Sequence, residues 1–462
     1  MIVFWRLSPP LKSNLGRLVA MALSVACWPA LAQTSPALQA ANPEAMSTLV
    51  PLVLPPTGSA APQERPADLA RAREIWQRAN ERVAEFPRGH VDLLRWEAKN
   101  PGETPAAPAA SPPAALDLTQ ALRLSLRHRP DLFTRATMNE REQSAVRVAY
   151  ATHVREVQRA WIDAVATRQR WRNATEVWDA TRTGSELGRR MVVAGNWSQA
   201  KLMREQLTQA SAWQAAVQAQ GDALVALERL AQLLGWWEAD AVAQLGERLP
   251  ASLPAVPARP TPGADITEDT LESAVLRGHP LLALQRSEAA RELAAAHPGR
   301  RQAWSAAVDA ALAALPDPGS ASTPPHIDDL SLLRDHPLER AVEAEAALLR
   351  EAAERRSMAR QAWAELRARH ASALHAQDVV AQLQTALEQE TLLRYNGMLQ
   401  SSWELLASAR ERMQSLDAAL QARRDYWRAQ AALQALLAGA DYAGPDTSST
   451  AGAGAAKAPA GH

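Results

Sequence analysis

The chain of 462 residues contains a single cysteine, Cys27, three Phe, four Tyr and only four Lys, at positions 12, 99, 201 and 457. One cysteine excludes an internal disulfide framework and multi-thiolate zinc sites. Transmembrane β-strands need about 9–11 alternating residues and aromatic girdles. Such alternation is not sustained anywhere, and Phe and Tyr are too few to build girdles. The acidic and basic residues number 50 each. No field of one sign therefore points to nucleic acid or to an anionic membrane surface. There is no Gly-rich phosphate loop, no H-E-x-x-H and no G-x-S-x-G. His370 and His375 are five apart, which takes them off a common helical face. The Met residues form no close pairs. No catalytic residue, metal ligand or cofactor is assigned, and the chain is not expected to be an enzyme.

What is present begins with an export signal. Arg6, Lys12 and Arg17 precede the apolar run Leu18 to Cys27, and Ala30-Leu31-Ala32 is a small-x-small cleavage site before Gln33. Cleavage after Ala32 would remove Cys27 and leave no thiol. Alternatively, Leu23 to Cys27 loosely matches a lipobox, with Ser24 where an aliphatic residue is usual. The expected location is the periplasm or the periplasmic face of an outer membrane.

Proline and composition divide the rest. Residues 1–32 are the signal; 33–115 are a Pro/Ala-rich segment, expected disordered except for a helix at 69–98; 249–265 are a linker; 440–462 are a disordered tail. Ala, Leu, Arg, Glu and Gln dominate what lies between, and all are good helix formers. The spacing predicts an all-α fold with little or no β structure.

The two remaining segments, 116–248 and 266–439, resemble each other. Ala121 to Leu132 and Leu271 to Leu282 are helix patterns interrupted by a basic residue, His128 or His279, and Pro130 or Pro280. The histidines are read as turn residues rather than ligands. Each segment closes on a long helical run, ending Leu233-Leu234-Gly235 in one and Leu436-Leu437-Ala438-Gly439 in the other. Met203, Ala210, Val217, Leu224 and Ala231 are seven apart, as are Leu399, Leu406, Met413, Leu420 and Trp427. That period predicts coiled-coil-like packing of long antiparallel hairpins.

The order of these pieces resembles the TolC-like outer-membrane efflux family. The first copy has Arg190, Gly195 and Ser198 in an R-x-x-x-x-G-x-x-S pattern, followed by the L-L-G ending; the second has Arg394, Gly397 and Ser401. The resemblance implies a three-protomer helical tunnel, a membrane β-barrel, and an adaptor protein docking at the glycine turns. The partners it implies are an efflux adaptor and two further copies of the chain. The sequence departs from the pattern at Lys201, where an acid is usual. It departs again at the second turn, which reads as one residue short. It departs most in the membrane strands, which are expected to be missing. The resulting function is that of an efflux-related component without a barrel; the alternative is a periplasmic helical scaffold. Gly195, Trp197, Ser198, Gly397, Met398 and Leu399 are the expected docking tip, with both glycines at positive φ and Trp197 in water.

Overall fold

The computed structural model describes residues 77, 115–263, 265–315 and 324–444. Apart from residues 77, 115 and 440–444, these span the two repeats and the linker between them, and all lie in one compact unit of the chain, Thr48–His462. The signal, most of the 69–98 helix and the end of the tail fall outside the described residues.

Asp117 caps α1 (Leu118–Leu126) by accepting the Gln120 N–H at 2.6 Å. A 3-10 turn at Pro130–Leu132 follows. Helix α2 (Glu140–Val193) then runs for 54 residues, about 80 Å at 1.5 Å per residue. Its start is fixed by a capping box in which the Asn139 side chain accepts the Glu142 N–H and Glu142 accepts the Asn139 N–H. Helix α3 (Gln199–Leu234) returns along it, and α4 (Ala239–Arg248) closes the first repeat.

The second repeat has the same plan with more pieces. It opens on α5 (Leu271–Gly278) and α6 (Pro280–Ala295), followed by α7 (Pro298–Ala313) and the short α8 (Leu330–Leu333). Helix α9 (His336–Leu374) passes through a π-turn at His375–Val380 into α10 (Ala381–Asn396). Helix α11 (Ser402–Leu437) returns, with a capping box between Ser401 and Glu404. The fold is all-α, as the sequence predicts. Among the described residues the only β feature is an isolated bridge between Gly263 and Ile266. In the first repeat the family's strands would interrupt α2, which instead runs unbroken.

The helices pack in the order α3, α2, α11, α10, with α9 also on α11. One apolar cluster joins Val157, Trp161, Val165, Leu230, Leu234 and Leu245; a second joins Val275, Leu366, Tyr426, Leu433 and Leu436. The expected heptad on α3 is not the buried seam. Of its five residues only Ala231 is buried. The buried side of α3 is Leu202, Ala212, Ala216, Ala219, Ala223, Leu227 and Leu230 instead. From Ala212 onward these positions keep the three- and four-residue spacing of a helical seam, and the alanines let α2 come close. Met203 lies beside this seam and faces outward.

Two segments are more ordered than their composition predicts. Residues 249–263 contain no helix but pack as a strap, with Leu249, Leu253 and Val256 buried. Side chains from three helices bind its carbonyls: Arg168 at Leu249 (3.1 Å), Trp427 at Pro254 (3.0 Å), His370 at Pro257 (2.8 Å) and Gln430 at Thr261 (3.2 Å). Residues 440–444, expected to be disordered with the tail, begin with buried Ala440, whose N–H bonds the Ala435 carbonyl at 2.9 Å. Asp441 then ties back to the helices. Its carboxylate accepts from Arg355 at 2.5 Å and its carbonyl from Arg155 at 2.5 Å.

Candidate interaction site at the helix turns

Both long hairpins reverse through turns of equal length, residues 194–198 and 397–401. In each, the N–H of the third residue past the helix end reaches back five residues. Asn196 bonds the Met191 carbonyl and Leu399 the Arg394 carbonyl, both at 2.9 Å. This closure puts the residue before the donor in the left-handed region. In the first turn that residue is Gly195, at φ +78°. In the second it is Met398, at φ +58°, while Gly397 sits one place early at φ −79°. The expected positive φ at Gly397 is thereby corrected. The second turn is not shortened; its glycine is displaced by one residue from the position that needs it. Ser198 and Ser401 cap the returning helices in equivalent places.

The expectation for Trp197 is also corrected. Its ring is half-buried, 3.9 Å centroid to centroid from Trp403 on α11, and a Cβ on Gly188 would lie 3.3 Å from it. Lys201 Nζ stands 5.8 Å above the same ring. Trp197 therefore fastens the first turn to the second hairpin. Trp197→Ala is expected to cost about 2 kcal/mol, below the range for a fully buried Trp because the side chain is only partly buried. The measurement is hydrogen exchange, which should accelerate over residues 188–206 and not over α1.

What the tip offers to solvent is Met398, 94% exposed, and Leu399, 80% exposed. The edge helices add to this surface. Helix α3 leaves Met203 and Leu207 outward, and α10 leaves Leu383, Leu387 and Leu393 outward. Burying a large apolar side chain is worth about 1.5–3 kcal/mol, so the free faces favour association.

The opposite end of each repeat is closed tightly. Gly235, at φ +73°, has the His128 ring where a Cβ would stand, and Gly439, at φ +98°, has Pro280 Cδ 2.7 Å from that point. His279 caps α6 by accepting the Leu282 N–H at 3.1 Å. In the first repeat a buried Ser–His pair appears, which no sequence motif announces. His153 Nε2 lies 3.1 Å from Ser125 Oγ, and Arg129 Nη1 3.3 Å from His153 Nδ1. The Ser125 hydroxyl donates to the Leu122 carbonyl at 2.9 Å. It must therefore accept from Nε2–H, leaving Nδ1 to accept from Arg129. This is a latch between α1 and α2 with its nucleophile sealed from solvent, not a base–nucleophile pair.

Burial, reinforced by the neighbouring arginine, holds the pKa of both His153 and His279 below the usual histidine value. The unfolded chain then binds more protons at acid pH than the folded chain. Stability is expected to be full above the unfolded value of about 6.5 and to fall as pH drops below it. The slope is at most about 1.4 kcal/mol per pH unit per histidine. Urea midpoints between pH 5 and pH 8 measure it, and His153→Gln should flatten the curve.

No family model matches the chain, and no curated protein matches it by sequence. Solved structures do. The outer-membrane channel OprN is 18% identical over 69% of this chain and 72% of its own, with a TM-score of 0.46. The Campylobacter jejuni CmeC outer membrane channel is 12% identical over 69% and 68%, with a TM-score of 0.44. The open state of the Neisseria gonorrhoeae MtrE outer membrane channel is 15% identical over 70% and 71%, with a TM-score of 0.41. The structure is similar to TolC-family channels. At these identities the functional reading must come from the chain's own surfaces. No helix among the described residues is long and apolar enough to cross a membrane. Nor do the described residues hold a group of three or more His, Cys, Asp or Glu that could bind a metal.

Proposed function

We propose that the chain is an efflux-related envelope component that works by docking, at its tip and through its two edge helices. The observation that carries this is the outward apolar surface at matched heights. Met203 and Leu393 each lie about 5 Å along the helix from their turn, and Leu207 and Leu387 about 12–14 Å, at 1.5 Å per residue. Residues on α3 of one copy can therefore meet residues on α10 of the next at the same level. Such a heterologous contact closes into a ring when its rotation divides a full turn, and a trimer is the closure proposed here. Met398 and Leu399 would then form a repeated apolar rim at the tip, suited to the helical hairpin of an efflux adaptor. Export through the signal at residues 1–32 would place the protein on the periplasmic side of the envelope.

A second reading, a periplasmic helical scaffold without transport, is supported by the unbroken α2 and the lack of strands among the described residues. Cell fractionation with and without detergent separates the two. Recovery with the outer membrane alongside a co-purified adaptor supports the export role. Recovery as a free periplasmic oligomer supports the scaffold.

A further inference from the structure

The π-turn between α9 and α10 carries information that the docking surface does not use. Ala359, Leu366 and Ala373 are seven apart and fully buried on the side of α9 that faces the second core. The sequence continues the same apolar heptad with Val380 and Leu387. In a straight helix these two would be next in the seam. They are not. The Ala381 N–H bonds the Ala376 carbonyl, five residues back, and this wider turn inserts one residue into the register. Ala381, 8% exposed, takes the seam position of Val380. Glu388 takes that of Leu387 and pairs with Arg412 of α11 at 2.5 Å. Leu387 is turned out, 48% exposed, and Leu383 beside it is 65% exposed. One extra residue rotates everything beyond it by about 100°.

We propose that this π-turn is a register switch for α10. With the extra residue in the turn, α10 shows α11 a polar face held by the Glu388–Arg412 pair and displays its leucines. With the helix straightened, Val380 and Leu387 rejoin the seam, the ion pair is broken, and the displayed face is withdrawn. The sequence heptad favours the straight register and the ion pair the π register. Opposed contributions of this kind are what a two-state element requires. Gln377, whose side chain accepts from Arg423 of α11 at 2.6 Å, lies inside the turn and anchors its start. The switch is a property of one chain and does not depend on whether edges of neighbouring copies meet.

The test is maleimide labelling of Leu387→Cys and of Ala381→Cys in the full chain, with Cys27 kept as a common background and sites resolved by peptide mass. In the intact chain Leu387→Cys should label at least tenfold faster than Ala381→Cys. Deleting Ala376 closes the π-turn but leaves Ala381 seven positions after Ala373, so it should lock the displayed register and keep this order, with helix content unchanged by circular dichroism. Labelling at two protein concentrations separates the effects, because protection by a second copy is lost on dilution and protection by α11 is not. A reversed order in the folded deletion variant would overturn the proposal. Arg412→Ala in the intact chain, by contrast, removes the pair that holds the π register. It should slow Leu387→Cys relative to Ala381→Cys at least threefold, and an unchanged ratio overturns the proposal equally.

Discussion

Gly278→Ala is expected to lower the thermal midpoint by roughly 6–12 °C, from about 3 kcal/mol of lost stability. A Cβ at this position would fall inside the contact distance of the Leu437 carbonyl oxygen, with the Leu437 carbonyl carbon 3.1 Å away. The obstacle is backbone, so no side-chain rotation relieves it. The carbonyl belongs to the last turn of α11, where Gly439 at φ +98° completes the closure against Pro280. Moving α5 away would also open the cluster around Val275 and Leu436, both fully buried. Differential scanning calorimetry measures the effect. Gly221→Ala is the control, since nothing lies within 4 Å of a Cβ there. In mid-helix it should be neutral or stabilising by up to about 1 kcal/mol.

The second large effect is functional. Met398→Glu together with Leu399→Glu should reduce recovery of a bound envelope partner at least tenfold, with the melting temperature within about 2 °C of the parent. Neither side chain is packed, so little folding energy is lost. Each substitution puts a charge where a partner would have to desolvate it, which costs several kcal/mol unless it is paired. Met398→Gly separates backbone from side chain. It relieves a non-glycine residue at φ +58°, worth about 1 kcal/mol, yet removes the apolar group. It should therefore stabilise the tip and weaken capture at once. Capture from solubilised envelopes, quantified by mass spectrometry, reads both outcomes.

The helices and the duplication are legible in the sequence because they rest on local rules. Capping residues such as Asn139 with Glu142, and Ser401 with Glu404, act over three residues, and the His–Pro breaks act over four. The features that escape the sequence depend on what arrives from elsewhere in the chain. Residues 249–263 read as a linker because proline forbids helix, but the carbonyls of the strap are claimed by Arg168, His370, Trp427 and Gln430 from distant positions. The turn at Gly397 is placed correctly, but which residue takes positive φ follows from the bond between Leu399 and Arg394. Trp197 reads as exposed because it flanks a turn, and is covered because Trp403 lies 206 residues further on. The apolar heptads mark real faces of α3 and α11. Period alone does not say whether a face meets its own chain or another.

That question decides the account. Met203→Cys combined with Leu393→Cys places one thiol on each edge at the same height above the turns. Treating intact cells with a short bis-maleimide should give a ladder of monomer, dimer and trimer that stops at trimer, and Leu207→Glu should abolish it. Monomer alone at native expression, with both cysteines reactive to a monofunctional maleimide, would contradict the proposal that these edges meet.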